Sequence, residues 1–200
     1  DGIVQDEGVR DNDDGSPEAF FFNFSTLQAF YFFESVTIDG DAAELDDWVG
    51  AFNGDVCVGA RLWGDCEGGT CDVPVFGSDG SEFTVGYMSP GETPTFQIFD
   101  SSTSEYLDAI ASEDISWING GMNVLDNLQN AIDGCTDTVA CNYNGSANVD
   151  DGSCTYPEEG TCDCAGNVED CAGECGGSAE EDACGVCGGD GSDDLGCGCF

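Results

Sequence analysis

Forty-two acidic side chains face two arginines, Arg10 and Arg61, and no lysine or histidine, in a chain that also carries 14 cysteines. A formal charge of −40 over 200 residues opposes compaction by self-repulsion. Such a chain folds only if cross-links, bound cations or both offset that repulsion. Asp outnumbers Glu by 27 to 15, and the excess falls in Gly/Asn-rich turns. Short carboxylates in turns are the ligands that hard cations select, so disulfides together with several Ca²⁺ ions are the expected solution. Both point to an oxidising, extracellular setting.

Cysteines and aromatics divide the chain in opposite directions. Residues 1–134 hold Cys57, Cys66 and Cys71. Residues 135–200 hold Cys135, Cys141, Cys154, Cys162, Cys164, Cys171, Cys175, Cys184, Cys187, Cys197 and Cys199. All three Trp and every Phe but Phe200 lie in the first part. The expected organisation is an acidic segment at 1–18, an aromatic-cored β-sandwich at 19–134, and a disulfide-dense tail at 135–200 with too few apolar groups for a core.

The missing residue types exclude chemistry. Without histidine there is no imidazole base or ligand, and without lysine no Schiff base. The charge repels nucleic acid and anionic membrane surfaces. No apolar run is long enough to span a bilayer as a helix. Asp1 in the first position leads us to expect a secretory signal already removed, and the cysteine cluster at 197–199 leads us to expect a native chain that continues past Phe200.

Strand signals fill the first part. AFFFNF at 19–24 and AFYFFESVTI at 29–38 are aromatic and β-branched. WVGAFNGDVCVGARL at 48–62 predicts a hairpin turning at Asn53-Gly54 in a type I′ turn. Further strands are expected at 73–76, 83–88 and 95–99, a short helix at 104–111, and either a strand or a helix at 124–132. Short strands at this spacing favour a mostly β fold, a jelly-roll-like sandwich. The tail is expected to have little regular structure. Within it DCAGECGG at 170–177 and ACGVCGGDG at 183–191 nearly repeat, which indicates an array.

CTDTVACNYNGSANVDDGSC at 135–154 resembles a repeat of secreted, multi-repeat surface proteins of marine bacteria. The units at 170–191 resemble the cysteine/glycine/aspartate repeats that accompany it, and both are similar in style to thrombospondin type 3 calcium repeats. WVGAFNGDVCVGAR at 48–61 and PTFQIFD at 94–100 resemble the module that precedes such repeats. The resemblance implies a secreted surface or matrix role and no defined reaction.

Asn142 and Asn144 alternate, and Asp150 and Asp151 return after a turn eased by Gly152, with Asp137 nearby; this is the expected calcium loop. Asp163, Asn167, Asp170, Asp182, Asp190 and Asp193 form a second candidate set. The bland counterpart of the first loop is a solvated acidic turn held by Cys135, Cys141 and Cys154. Cys171, Cys175, Cys184 and Cys187 have near-zinc spacing, but eleven tail cysteines in an oxidising context read as disulfides. All 14 cysteines are disulfide candidates. Cys66–Cys71 is the local pair, which leaves Cys57 either to bridge elsewhere or to sit in the core. Asn144 and Asn23 head glycosylation sequons. Phe20, Phe21, Phe22 and Phe24 are either core residues or a strand donated to a neighbouring subunit. Trp48, Trp63 and Trp117 are either core residues or a sugar-stacking face. The expected function is a non-enzymatic, calcium- and disulfide-stabilised filament or matrix subunit that self-associates. The alternative is an adhesin or carbohydrate-binding module that takes surface glycans.

Overall fold

The computed structural model describes residues 15–66, 70–182 and 185–189. The chain divides into two compact units after Ala131. Unit 1 is built from eight strands: β1 Gln28–Ile38, β2 Asp41–Ala42, β3 Trp48–Asn53, β4 Val56–Leu62, β5 Cys71–Phe76, β6 Thr95–Asp100, β7 Glu105–Ala111 and β8 Met122–Asn130. They form one mixed sheet in the order β2-β1-β8-β7-β6-β3-β4, with β5 also paired to β1.

β1 organises the sheet. One edge pairs antiparallel with β5 and then with β2; the other pairs parallel with β8, Phe30 opposite Met122. Its aromatic run follows the two-residue period of a strand. Ala29, Tyr31 and Phe33 are fully buried, while Phe30 and Phe32 are half-buried on the opposite face. Tyr31 donates its hydroxyl to Ile115 O at 2.9 Å, and burial pushes its pKa up to about 12. β1 ends where Asp39 and Gly40 take positive φ, 52° and 89°, and turn the chain into β2.

The sheet curls until its ends meet. Gly59 of β4 lies so close to β5 that a Cβ there would stand 1.7 Å from Pro74 O. Only glycine permits this approach. Arg61 reaches across the same seam, its Nε donating to Asp72 O at 2.9 Å and its Nη2 to Asp72 Oδ2 at 2.6 Å. The core inside the curl includes Val49, Val58, Val73, Val75, Ile98, Leu125, Leu128 and Trp117. Trp117 is wholly buried, and its indole N–H donates to Val75 O at 2.9 Å.

Four local expectations are corrected. Residues 19–24 are not a strand: Glu18–Phe20 is a 3₁₀ turn after Pro17, and the Asn23 N–H goes to Tyr87 Oη at 2.6 Å rather than to a ladder. Residues 83–88 are not a strand, because the Asp79 carboxylate accepts from Ser81 N and Thr84 Oγ1 and holds a 3₁₀ turn at Glu82–Thr84. Residues 104–111 are strand, not helix: Ser104 at φ 61° closes a turn and Tyr106 pairs with Phe99, so pairing with β6 overrides local propensity. The β3–β4 hairpin exists, but its turn is Gly54-Asp55 between the paired Asn53 and Val56. Only Gly54 takes positive φ, 60°, which fits a type II′ rather than a type I′ turn. The ambiguous segment at 124–132 resolves as β8.

Unit 2 has a two-stranded parallel pair, β9 Asp133–Gly134 with β10 Val149–Asp150, and otherwise turns. Among its described residues only Gly134, Cys135 and Ala140 are buried.

Candidate functional site

With so little buried, unit 2 depends on covalent bonds. Four bridges staple its described part: Cys135–Cys154, Cys141–Cys164, Cys162–Cys175 and Cys171–Cys187. Each loop opens before the previous one closes, so the bridges interleave from Cys135 to Cys187. Three of the four cysteines with near-zinc spacing are thereby bonded. In unit 1, Cys66 pairs with Cys71. Cys57 lies in the core, 6 % exposed, with its Sγ–H directed at Gly59 O. Cys184, Cys197 and Cys199 lie outside the described residues, as do Asp190 and Asp193.

The near-repeat is structural, with a period of 12 residues. Gly176 N donates to Val168 O, and Gly188 N to Glu180 O. Asp170 N donates to Glu174 O, and Asp182 N to Val186 O. Gly173 and Gly185 match at φ 80° and 76°, Gly176 and Gly188 at 67° and 68°. Each turn is capped from within by an aspartate. Asp170 Oδ1 accepts Glu174 N, and Asp182 Oδ1 accepts Val186 N, both at 3.0 Å. Asp163 does the same one turn earlier, accepting Ala165 N and Asn167 N at 3.0 Å.

These caps decide how the calcium candidates stand. Asp137 accepts Val139 N on one oxygen and the Tyr156 hydroxyl on the other, and both bonds, the first foremost, lower its pKa. Asn142 Oδ1 accepts Thr155 N while its amide donates to Ser153 O, both at 2.7 Å. Asn144 Oδ1 accepts Ser146 N. Asp150 accepts Gly152 N, and Asp151 accepts Ser153 N. The Asp163 pKa is lowered mainly by the Asn167 amide, and that of Asp170 by Ala179 N and then Glu174 N. Asp163 Oδ2 also takes the Asn167 amide. A calcium ion needs six to eight converging oxygens. Here candidate oxygens accept hydrogen bonds, some from their own turns, as at Asp150, Asp151 and Asp163, and some from farther along the chain, as Asn142 from Thr155 and Asp137 from Tyr156; among the described residues no three acidic, histidine or cysteine side chains gather. As arranged, the described acidic members of this donor set are not gathered into a cage.

Unit 1 sorts its candidates by burial. Phe20 and Phe22 belong to their own core; Phe20 packs edge-on against Phe52 and Tyr106, and Phe22 stacks on Phe76. Phe21 and Phe24 are exposed. Trp117 is buried and Trp63 half-buried, so the three tryptophans do not make one open face. The half-buried Asn23 gives its amide to Phe83 O, whereas Asn144 is exposed. The Arg61–Asp72 contact and the aspartate caps were not anticipated. The caps had a signal in the sequence, the Asp-x-x-Gly spacing at 163–166, 170–173 and 182–185. Among the described residues no helix is long and apolar enough to cross a membrane. Compared with protein families, curated proteins and solved structures, the chain matches none.

Proposed function

We propose that this chain is a non-enzymatic extracellular structural protein: a sheet module carrying a tail built to bear tension, as a stalk or as the subunit of a surface filament or matrix. The interleaved bridges of unit 2 carry this reading. Cys187 lies 52 positions after Cys135. One covalent route between them takes six backbone steps to Cys141, crosses to Cys164, takes seven steps to Cys171 and crosses to Cys187. Another starts across Cys135–Cys154, takes eight steps to Cys162, crosses to Cys175, steps back four to Cys171 and ends across the same last bridge. Stretched to its limit, either route spans about 60 Å, whereas the uncrosslinked segment reaches about 180 Å. A tail of this kind keeps its length under load without a hydrophobic core.

The bridges also support secretion, because they persist in oxidising compartments. The curl that brings β4 onto β5 supports reading unit 1 as sandwich-like. Ca²⁺ enters as a diffuse counter-ion for the charge of −40, which permits like-charged copies to approach. Self-association by tail-to-module packing fits better than donation of residues 20–24, since Phe20 and Phe22 already fill their own core.

Electron microscopy of the purified protein in Ca²⁺, with and without reductant, tests this. Fibres or extended stalks of fixed length that collapse on reduction are expected. Dispersed particles at high concentration would exclude the filament and leave the stalk. Particles whose dimensions ignore reductant would remove both.

A further inference from the structure

The seam between β4 and β5 opens into a groove of about 450 Å³, lined by Phe24, Phe30, Trp48, Gln28, Arg61 and Asp65 among others. We infer that this groove is a binding site for a neutral saccharide. The site belongs to unit 1 and does not depend on the role of the tail.

Three observations support it. First, Phe24 is 59 % exposed yet held in place, edge-on to Phe22 at 5.7 Å and to Phe76 at 5.6 Å. An exposed ring already fixed in orientation loses little freedom when a ligand lands on it. Phe30 and Trp48, both half-buried, line the same groove. Ring faces of this kind pack against the C–H faces of a pyranose. Second, the polar lining combines donors and acceptors. Arg61 is anchored through Nε and Nη2, which fixes the guanidinium plane and leaves Nη1 outside those two bonds. Asp65 and Gln28 are exposed and supply carboxylate and amide oxygens. A fixed fork beside a carboxylate and an amide suits adjacent hydroxyls. The volume lies in the range of small-ligand sites, about 300–1,000 Å³. Third, the alternatives fit less well. The charge of −40 repels anionic sugars and phosphates. An added peptide strand needs open main-chain groups, but along β5 Asp72 O is taken by Arg61, Phe76 O accepts Met88 N, and Pro74 has no N–H.

The test is titration calorimetry and tryptophan fluorescence of the full chain with cello-, laminari-, manno- and chito-hexaose. Alginate oligomers serve as the anionic probe. At least one neutral hexaose is expected to bind and to perturb Trp48 emission. Phe24→Ala should weaken that binding about tenfold while leaving the melting temperature near the parent's. Trp48→Ala should abolish it; if that variant fails to fold, Phe24→Ala and Gln28→Ala decide. No binding of any neutral hexaose at millimolar concentration would overturn the site. So would binding confined to alginate, or binding unchanged in Phe24→Ala.

Discussion

Arg61 holds Asp72 by two bonds across the seam, Nε to the main-chain oxygen at 2.9 Å and Nη2 to the carboxylate at 2.6 Å. The chain has only one other basic side chain, Arg10, which lies outside the described residues. The fork does two jobs at once, pinning the curled ends of the sheet and orienting a guanidinium in the groove. Arg61→Met removes both bonds and leaves Asp72 O facing a half-buried gap. The pair is 30 % exposed on each side, so solvent replaces part of what is lost. Urea unfolding of unit 1 should show a loss of about 1–2 kcal/mol. Arg61→Lys keeps the charge but not the fork, and should recover less than half of that.

Gly59 tests the curl more sharply. A Cβ would meet Pro74 O at 1.7 Å, and the obstacle is backbone on a strand that β1 holds in register. Neither strand can yield without opening the seam. Gly59→Ala should destabilise unit 1 by about 3 kcal/mol or more in chemical denaturation. Gly145→Ala is the control: its Cβ would find nothing nearer than 3.6 Å, and its melting curve should match the parent's.

How much of this was legible in the sequence depends on how local its cause is. The β3–β4 hairpin was readable because apolar runs flank a glycine turn, although the turn slipped by one residue. The aspartate turns are local too, and their spacing was in view as a repeat. β7 was not readable: its Glu, Leu and Ala suit a helix, and only pairing of Phe99 with Tyr106 makes it a strand. The parallel pairing of Phe30 with Met122 and the Arg61–Asp72 bonds arise from how the sheet curls, which no local pattern encodes. The calcium reading rested on clustered Asp and Asn, and the same clustering also marks turns that an aspartate caps, as at Asp163, Asp170 and Asp182.

Those caps set a pH dependence. The Asp79 pKa is held below the usual carboxylate range by Ser81 N first and then the Thr84 hydroxyl. Asp163 and Asp170 are lowered in the same way by Asn167 and by Ala179 N. A carboxylate with a depressed folded pKa stabilises the fold above its unfolded value and loses that contribution as pH falls through the folded one. Against this, protonation of the bulk carboxylates reduces self-repulsion. Melting temperature should therefore rise as pH falls from 7 toward about 4, then drop below it as the capped aspartates protonate. A monotonic fall from neutral pH would overturn this account, since the capped aspartates stay ionised until the pH drops below the usual carboxylate range.

Cation dependence separates a counter-ion from a caged one. If Ca²⁺ screens charge diffusely, calorimetric titration gives no saturable stoichiometric heat. Mg²⁺ at equal concentration then raises the melting temperature about as much, since screening follows ionic strength. EDTA in moderate salt should leave the bridged tail folded. A stoichiometric Ca²⁺ isotherm that Mg²⁺ cannot reproduce would mean that the turns rearrange to present their oxygens.

The bridges make a mechanical prediction. Held between handles at its two ends and stretched, the oxidised protein can extend its tail from Cys135 to Cys187 only as far as its shortest covalent route allows, about 60 Å. Reduction frees the whole segment, adding about 120 Å of contour. Routes of nearly equal length run through Cys141–Cys164 and through Cys135–Cys154 with Cys162–Cys175. Removing any one of these three bridges as a paired Cys→Ser change should therefore leave the oxidised contour within a few ångström of the parent's. Both routes end across Cys171–Cys187, so removing that bridge should lengthen the tail by roughly 20 Å. The static fold of unit 2 should respond differently. Losing any one bridge costs about 2–4 kcal/mol in a unit whose described residues bury little to compensate. Force-extension traces of the four double variants, with and without reductant, thus separate load-bearing from folding stability. Equal lengthening in all four would show that the bridges act singly and not as an interleaved ladder.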